Sequence, residues 1–308
     1  MKPKNFIPER DVPDLSSKVI LVTGGNTGLG KQHILELCRH NPGEVWLAAR
    51  NLEKAKDAVA RIQKAVPNAP VKVLELDLSS FSSVKAAAAT FIAQCNRLDI
   101  LVLNAGLMSV PPSTTNDGFE MQFATNFLGH ALLTTLLIPT MEQTVAIQGD
   151  SSDVRVVGVT SYGYTFAPKK GIEFDLLKTP CERLSDMQRY GQSKLAMIMW
   201  LRQLAKHHPE IKTASVHPGL VASDFGTSRD KQYTGIMKFV RGLYTKVVPS
   251  VEEGVKNQLW ASVAPDVQSG EYYEPVGVSG KLSKMGRNDD LAGKLWIWTE
   301  KEIAESAH

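Results

Sequence analysis

The run Val19-Ile20-Leu21-Val22 carries apolar side chains on both faces of any strand it forms. Glycines follow at once, in Thr23-Gly24-Gly25-Asn26-Thr27-Gly28-Leu29-Gly30. A strand apolar on both faces belongs inside a parallel sheet covered on both sides. Five further runs have this character, at residues 45–49, 71–76, 100–103, 154–159 and 214–216. Between them lie helical patterns at 31–40, 52–65, 81–95 and 187–206. Strands alternating with helices predict a doubly wound α/β fold of the Rossmann type, a parallel sheet of about seven strands with helices on both faces. Residues 1–16, with Pro3, Pro8 and Pro13, read as an extended arm, and 17–308 as a single domain. Three helix starts carry capping patterns: Asp117…Glu120, Ser185…Gln188 and Ser250…Glu253.

Composition excludes several classes. Apolar residues make up 43% of the 308, enough to build a core and to rule out a disordered chain. Lys and Arg number 35 against 32 Asp and Glu, a net charge of +3 that gives no case for a nucleic-acid partner. Cys38, Cys95 and Cys181 are too few and too scattered for a disulfide framework or a zinc site, so no metal is expected and a cytoplasmic location is. His207-His208 at a helix end reads as a favourable C-terminal pair and not as metal ligands. No stretch reaches about 18 uncharged apolar residues, so no spanning helix is expected.

The glycine turn has the setting of a dinucleotide site. Glycines allow positive φ and close approach of the backbone to a pyrophosphate, and the helix behind them offers free N–H groups. The end of the second strand then bears on cofactor choice. Enzymes that use NAD place an acid there for the ribose 2′-hydroxyl. This chain has Ala48-Ala49-Arg50-Asn51, with no acid before Glu53. Arg50 could pair with a 2′-phosphate, which favours NADP(H); the alternative is a solvated surface arginine. Asp77 ends the third strand and could also cap the helix that begins near Ser80.

Tyr190 and Lys194 stand four residues apart on a predicted helix, so they share a face. A free tyrosine titrates near pKa 10, too high for proton transfer at neutral pH, and a neighbouring cation favours the phenolate. Ser161 follows the fifth strand, where its hydroxyl could bond a substrate oxygen beside Tyr190; Thr160 is the competing hydroxyl. Asn104-Ala105-Gly106 closes the fourth strand. Asn126 sits within a helix, where it is a poor helix former. It reads either as a satisfied core amide or as the site of a kink whose carbonyl serves a proton relay.

With His217-Pro218-Gly219, these motifs in order resemble the short-chain dehydrogenase/reductase family from residue 17 to about 300. Ala48-Ala49-Arg50, Asn126-Phe127-Leu128-Gly129-His130, Gly171-Ile172-Glu173-Phe174-Asp175 and Leu291-Ala292-Gly293-Lys294-Leu295-Trp296 are similar to its retinol-dehydrogenase-like and WW-domain-oxidoreductase-like branch. The gap from Ser161 to Tyr190 is longer than is usual in the family, an insertion this branch carries. The resemblance implies catalytic roles for Asn126, Ser161, Tyr190 and Lys194. Lys194 is expected to lower the Tyr190 pKa and to hold the nicotinamide ribose. It also implies cofactor contacts from Thr23, Gly24, Asn26, Thr27, Gly28, Leu29 and Gly30, from Arg50, Asp77 and Leu78, and from Asn104, Ala105 and Gly106. After the sixth strand they come from Pro218, Gly219, Val221 and Ser223. His217 reads as structural.

The expected function is NADP(H)-dependent hydride transfer between the nicotinamide and a small hydrophobic carbonyl or alcohol substrate. The alternatives are a cofactor-binding regulator without turnover and an imine reductase. Residues 224–248, with Met237, Phe239, Leu243 and Tyr244 among Lys238, Arg241 and Lys246, read as a lid over a hydrophobic substrate, or as a segment resting on a membrane. Tyr162, Tyr164 and Phe166 either line the same pocket or pack the inserted loop. A homodimer is compatible with all of this.

Overall fold

The protein is described by a computed structural model covering residues 3–219 and 250–305. Its strands are β1 Val19–Thr23, β2 Glu44–Ala49, β3 Val71–Glu75, β4 Ile100–Leu103, β5 Arg155–Val159, β6 Lys212–Val216 and β7 Glu271–Tyr273. They form one parallel sheet in the order β3-β2-β1-β4-β5-β6-β7. This is the doubly wound fold the alternation predicts. The seventh strand has no sequence signal of its own, because three residues between Gly270 and Pro275 are too short to show a pattern.

The helices in chain order are α1 Pro8–Asp11, α2 Gly28–Cys38, α3 Leu52–Ala65, α4 Phe81–Gln94, α5 Met121–Phe123, α6 Gly129–Gln148 and α7 Asp186–His207. Helices Val251–Gly254, Lys256–Val263 and Asp289–Glu305 follow. Alternate residues of β1 go to opposite layers. Ile20 and Val22 pack with Ile34 and Leu37 of α2 and with Leu259, whereas Leu21 packs with Phe91, Leu133 and Trp200. Both layers are buried, so a residue such as Leu21 gains about 1.5–3 kcal/mol from burial.

Chain order runs outward from β1 to β3, then crosses to β4 on the other side of β1. That reversal opens a crevice beyond the C-terminal ends of β1 and β4, where open α/β sheets bind ligands. Thr23 ends β1, and Asn104 follows β4.

The structure corrects two expectations and sharpens a third. The N-terminal arm is docked rather than extended. Phe6, Val12 and Leu15 are buried in the α2 layer, α1 forms one turn, and the Lys4 amide donates to the Val276 carbonyl at 3.0 Å. Asp117 does not cap the helix that follows it: Glu120 caps α5 by accepting from the Phe123 amide, and Asp117 accepts the Phe81 amide at the start of α4. Ser185 and Gln188 form the reciprocal capping box of α7, and Ser250 accepts from the Glu253 amide, both as predicted. The third concerns apolar length. The helical stretch Met121–Ser151 is long and apolar enough to cross a membrane, yet 72% of its most apolar window lies inside the protein, which makes it a core helix here.

Candidate active site

The glycine turn has the geometry of a phosphate cradle. Gly24 and Gly28 have φ of 66° and 51°, in the region where a side chain is strained. A Cβ on Gly30 would lie 2.4 Å from the Gly24 carbonyl oxygen, so only glycine lets the α2 start close onto the turn. Thr27 at the N-cap makes no side-chain cap bond, and no acid lies in the first turn of α2. The uncapped N–H groups and the positive end of the helix dipole therefore face the crevice without an internal anion. Asn26, Gly28 and Leu29 are half-buried around this opening.

Asn104 fastens the turn from β4. Its Nδ2 donates to the Thr23 carbonyl at 2.9 Å, and the main-chain amides of Asn104 and Ala105 both donate to Thr23 Oγ1 at 2.9 Å. Beyond β2, Arg50 is 73% exposed and its Nη1 stands 3.9 Å from Asp77 Oδ2. The sequence names these two residues separately; the fold makes them neighbours on one rim. Asp77 holds its own turn by accepting from Ser79 N and Oγ, and the helix cap of α4 is Ser80. Leu78 turns its side chain into the core. A Cβ on Gly129 would lie 2.2 Å from the Leu78 carbonyl oxygen, so Gly129 allows the start of α6 to press against that loop.

The residues expected to react come from the end of β5 and from α7. Thr160 is buried and spends its hydroxyl on the Lys194 carbonyl, which leaves Ser161 as the hydroxyl at the strand end. Ser161 Oγ accepts the Gly163 amide at 3.0 Å and acts on the Tyr190 phenol, lowering its pKa against burial. Gly163 was not legible as a site residue. A Cβ there would lie 2.8 Å from Tyr190 Cε1, so the glycine makes room for the phenol ring. Lys194 Nζ donates to the Val159 carbonyl at 2.9 Å and lies 5.8 Å from the Tyr190 ring centre.

Burial sets the titration of this pair. It pushes the Tyr190 phenol above its ordinary value, with Ser161 pulling the other way, and it brings Lys194 down to about 8. This reverses the expected direction for Tyr190. The ring is desolvated in a fully packed helix, and the ammonium is drawn toward a main-chain oxygen, so desolvation outweighs the cation.

Asn126 lies in a π-helical turn, Ala124–Leu128, between α5 and α6. Its side chain is a satisfied core amide: Oδ1 accepts the Leu107 amide at 2.7 Å, and Nδ2 donates to the Leu107 carbonyl and to Ser193 Oγ, both at 2.9 Å. The disturbed helix is also present, because π turns shift the main-chain ladder. The core amide and the kink are therefore both present at Asn126.

The structure divides the aromatic residues after Ser161. Tyr164 is core, edge-on to Tyr272, with its hydroxyl accepting the Ser283 amide at 2.9 Å. Tyr162 and Phe166 are 54% and 53% exposed. His217 Nδ1 accepts the Tyr162 amide at 3.3 Å, and burial lowers its pKa to about 4, so it tethers the Ser161 loop as a neutral ring. Pro218 and Gly219 follow β6 beside it. Val221, Ser223 and residues 224–248 lie outside the described residues. His207 stacks on Trp296 at 4.3 Å, while His208 faces Glu142.

Comparison with known proteins fits this geometry. Residues 18–170 match the profile of the family described as short chain dehydrogenase. The chain is 39% identical over 307 residues to the short-chain dehydrogenase/reductase drtF of Aspergillus calidoustus, covering 95% of each protein. It is 34% identical to retinol dehydrogenase 11 of Mus musculus, covering 92% of this chain and 85% of that one. A crystal structure of an uncharacterized protein from Mycobacterium paratuberculosis superposes with a TM-score of 0.74 at 26% identity, covering 98% of both chains. The chain belongs to the short-chain dehydrogenase/reductase family of oxidoreductases. Its place there is in the retinol-dehydrogenase-like branch.

Proposed function

We propose that the protein is an NADP(H)-dependent reductase of small hydrophobic carbonyl compounds, with the corresponding alcohol as the reverse substrate. The observation that carries this reading is the cluster of Ser161, Tyr190 and Lys194 at the crevice, beside a glycine cradle whose helix N-terminus is free. The cradle suits a pyrophosphate: close-packed glycines, uncapped N–H donors and no competing acid. Thr23, the turn 24–30, Asn104 to Gly106 and Pro218-Gly219 would hold the cofactor, and Lys194 its nicotinamide ribose. Arg50 beside Asp77 supports a 2′-phosphate, since a guanidinium binds a phosphate with charge assistance. When bound, the nicotinamide supplies the hydride.

The remaining chemistry belongs to the chain. Ser161 holds the substrate oxygen, and Tyr190 gives that oxygen its phenolic proton as the carbonyl carbon gains the hydride. Burial raises the Tyr190 phenol, which suits it to donate a proton in reduction. Lys194, near its own titration point, passes a proton back to the phenolate from solvent. Exposed Tyr162 and Phe166 beside Ser161 offer an apolar wall to the substrate. The test is a panel of hydrophobic ketones and imines with NADPH or NADH, followed by loss of reduced-cofactor absorbance. Ketones oxidising NADPH faster than NADH are expected. A protein that turned over no carbonyl with either cofactor would refute the reading.

A further inference from the structure

His130 is fully buried one turn beyond Asn126, and no step above uses it. Its two ring nitrogens reach opposite halves of the site. Nε2 lies 2.8 Å from Thr23 Oγ1 and Nδ1 lies 3.1 Å from the Asn126 carbonyl oxygen. The proton positions follow from counting partners. Thr23 Oγ1 accepts two main-chain amides, from Asn104 and Ala105, which fills both of its lone pairs. Its single proton must then be donated. Val102 O at 3.4 Å is a poor acceptor, and His130 Nε2 at 2.8 Å is a good one. Nε2 is therefore the unprotonated nitrogen. Nδ1 carries the ring proton and donates it to the Asn126 carbonyl. Desolvation keeps the ring neutral, lowering its pKa to about 3, and the nearby Lys194 charge acts in the same direction.

The chain of bonds continues on each side. Toward the cofactor crevice, Thr23 and Asn104 pin the glycine turn. Toward the reacting helix, Asn126 Nδ2 donates to Ser193 Oγ, which donates to the Tyr190 carbonyl at 2.7 Å. We propose that His130, as a single Nδ1–H tautomer, is a positioning residue that locks the Thr23 end of the cofactor cradle to the Asn126 turn behind Tyr190. Neither half of the site then shifts without the other. The function of the lock rests on the reading of Tyr190 as proton donor, whereas its geometry does not.

Two half-replacements separate the arms. His130→Gln places an acceptor near the Nε2 position and keeps the Thr23 bond while losing Asn126. His130→Asn places a donor near the Nδ1 position and keeps the Asn126 bond while losing Thr23. A lost buried hydrogen bond corresponds to about a tenfold effect. His130→Gln should bind NADPH within about threefold of wild type and lose about tenfold in kcat; His130→Asn should show the reverse split; His130→Leu should lose both. Circular dichroism of each variant guards against global unfolding. The two half-replacements failing alike in both quantities, or His130→Leu matching wild type, would overturn the proposal. A second measurement needs neither substrate nor variant. Long-range ¹⁵N–¹H correlation on the labelled wild-type protein should show the His130 proton on Nδ1; a proton on Nε2, or on both nitrogens, overturns it. A protein without carbonyl turnover would refute the proposed function and leave the tautomer and the binding split still decisive here.

Discussion

The two ends of the crevice are built from opposite materials. At the rim beyond β2 and β3, Arg50 is largely in solvent and Asp77 is half-exposed, and they meet loosely at 3.9 Å. At the far end, Tyr190, Lys194, Asn126 and His130 are all buried, and the last three are bonded to main chain. An exposed cation that meets its partner only loosely is open to a further anion. A buried ionisable group is shifted before any ligand arrives, because desolvation acts on it alone. On the proposed function the rim would set cofactor choice with little cost to the fold, and the buried end would carry the chemistry with residues that are also part of the core.

That contrast can be broken in several places. The largest expected effect is at the buried end: Tyr190→Phe should lower turnover by about 10²–10⁴-fold, as for a lost general acid. Its NADPH affinity, read by titration calorimetry, should stay close to wild type, since the ring still fills the space beside Gly163. Gly129→Ala comes next. Its Cβ would collide with the Leu78 main-chain oxygen, and overpacking of this kind costs about 1–3 kcal/mol, visible as a lower urea midpoint. Arg50→Ala should weaken NADPH by about 1–3 kcal/mol and leave NADH and the melting temperature nearly unchanged. Loss of affinity for both cofactors alike would place Arg50 outside the 2′-phosphate contact.

Lys194→Met tests the buried cation through stability. Its folded pKa of about 8 lies below the unfolded value near 10.5, so the native state binds the proton less tightly. The penalty is fully present below about pH 8 and is relieved as pH rises toward 10.5. The methionine variant should therefore match or exceed wild-type stability at pH 7, by up to about 3 kcal/mol less the lost bond to Val159, and that advantage should shrink at alkaline pH. Thermal melts at pH 7 and pH 10 check this; lower stability of the variant at pH 7 alone would contradict it. The smallest effect is expected for Asp117→Ala, about 1 kcal/mol from the lost bond to the first amide of α4.

Much of this was legible in the sequence because local pattern and local chemistry coincide. The glycine turn, the Tyr190–Lys194 spacing and the Ser185 cap depend on residues a few positions apart, and apolar runs reported six strands. What could not be read depends on contacts across the chain. Asp117 accepts the first amide of a helix 36 positions earlier, which no spacing rule anticipates. Gly163 and Gly129 matter through a ring and a carbonyl that only the fold brings near. The direction of the Tyr190 shift was missed for a similar reason: sequence supplies the neighbouring lysine, but burial is a property of the packed helix. The arm at residues 3–16 looked extended from its prolines, yet Phe6, Val12 and Leu15 find a groove beside α2.

The most direct measurement is the pH dependence of kcat/KM in both directions with a hydrophobic ketone and its alcohol. With Tyr190 held as a phenol by burial and Lys194 titrating near pH 8, reduction should be level through neutral pH and fall above about pH 8. Alcohol oxidation, which on this account needs a deprotonated Lys194 to take the proton from Tyr190, should rise over the same range. A reduction rate that climbed with pH would contradict Tyr190 as the proton donor.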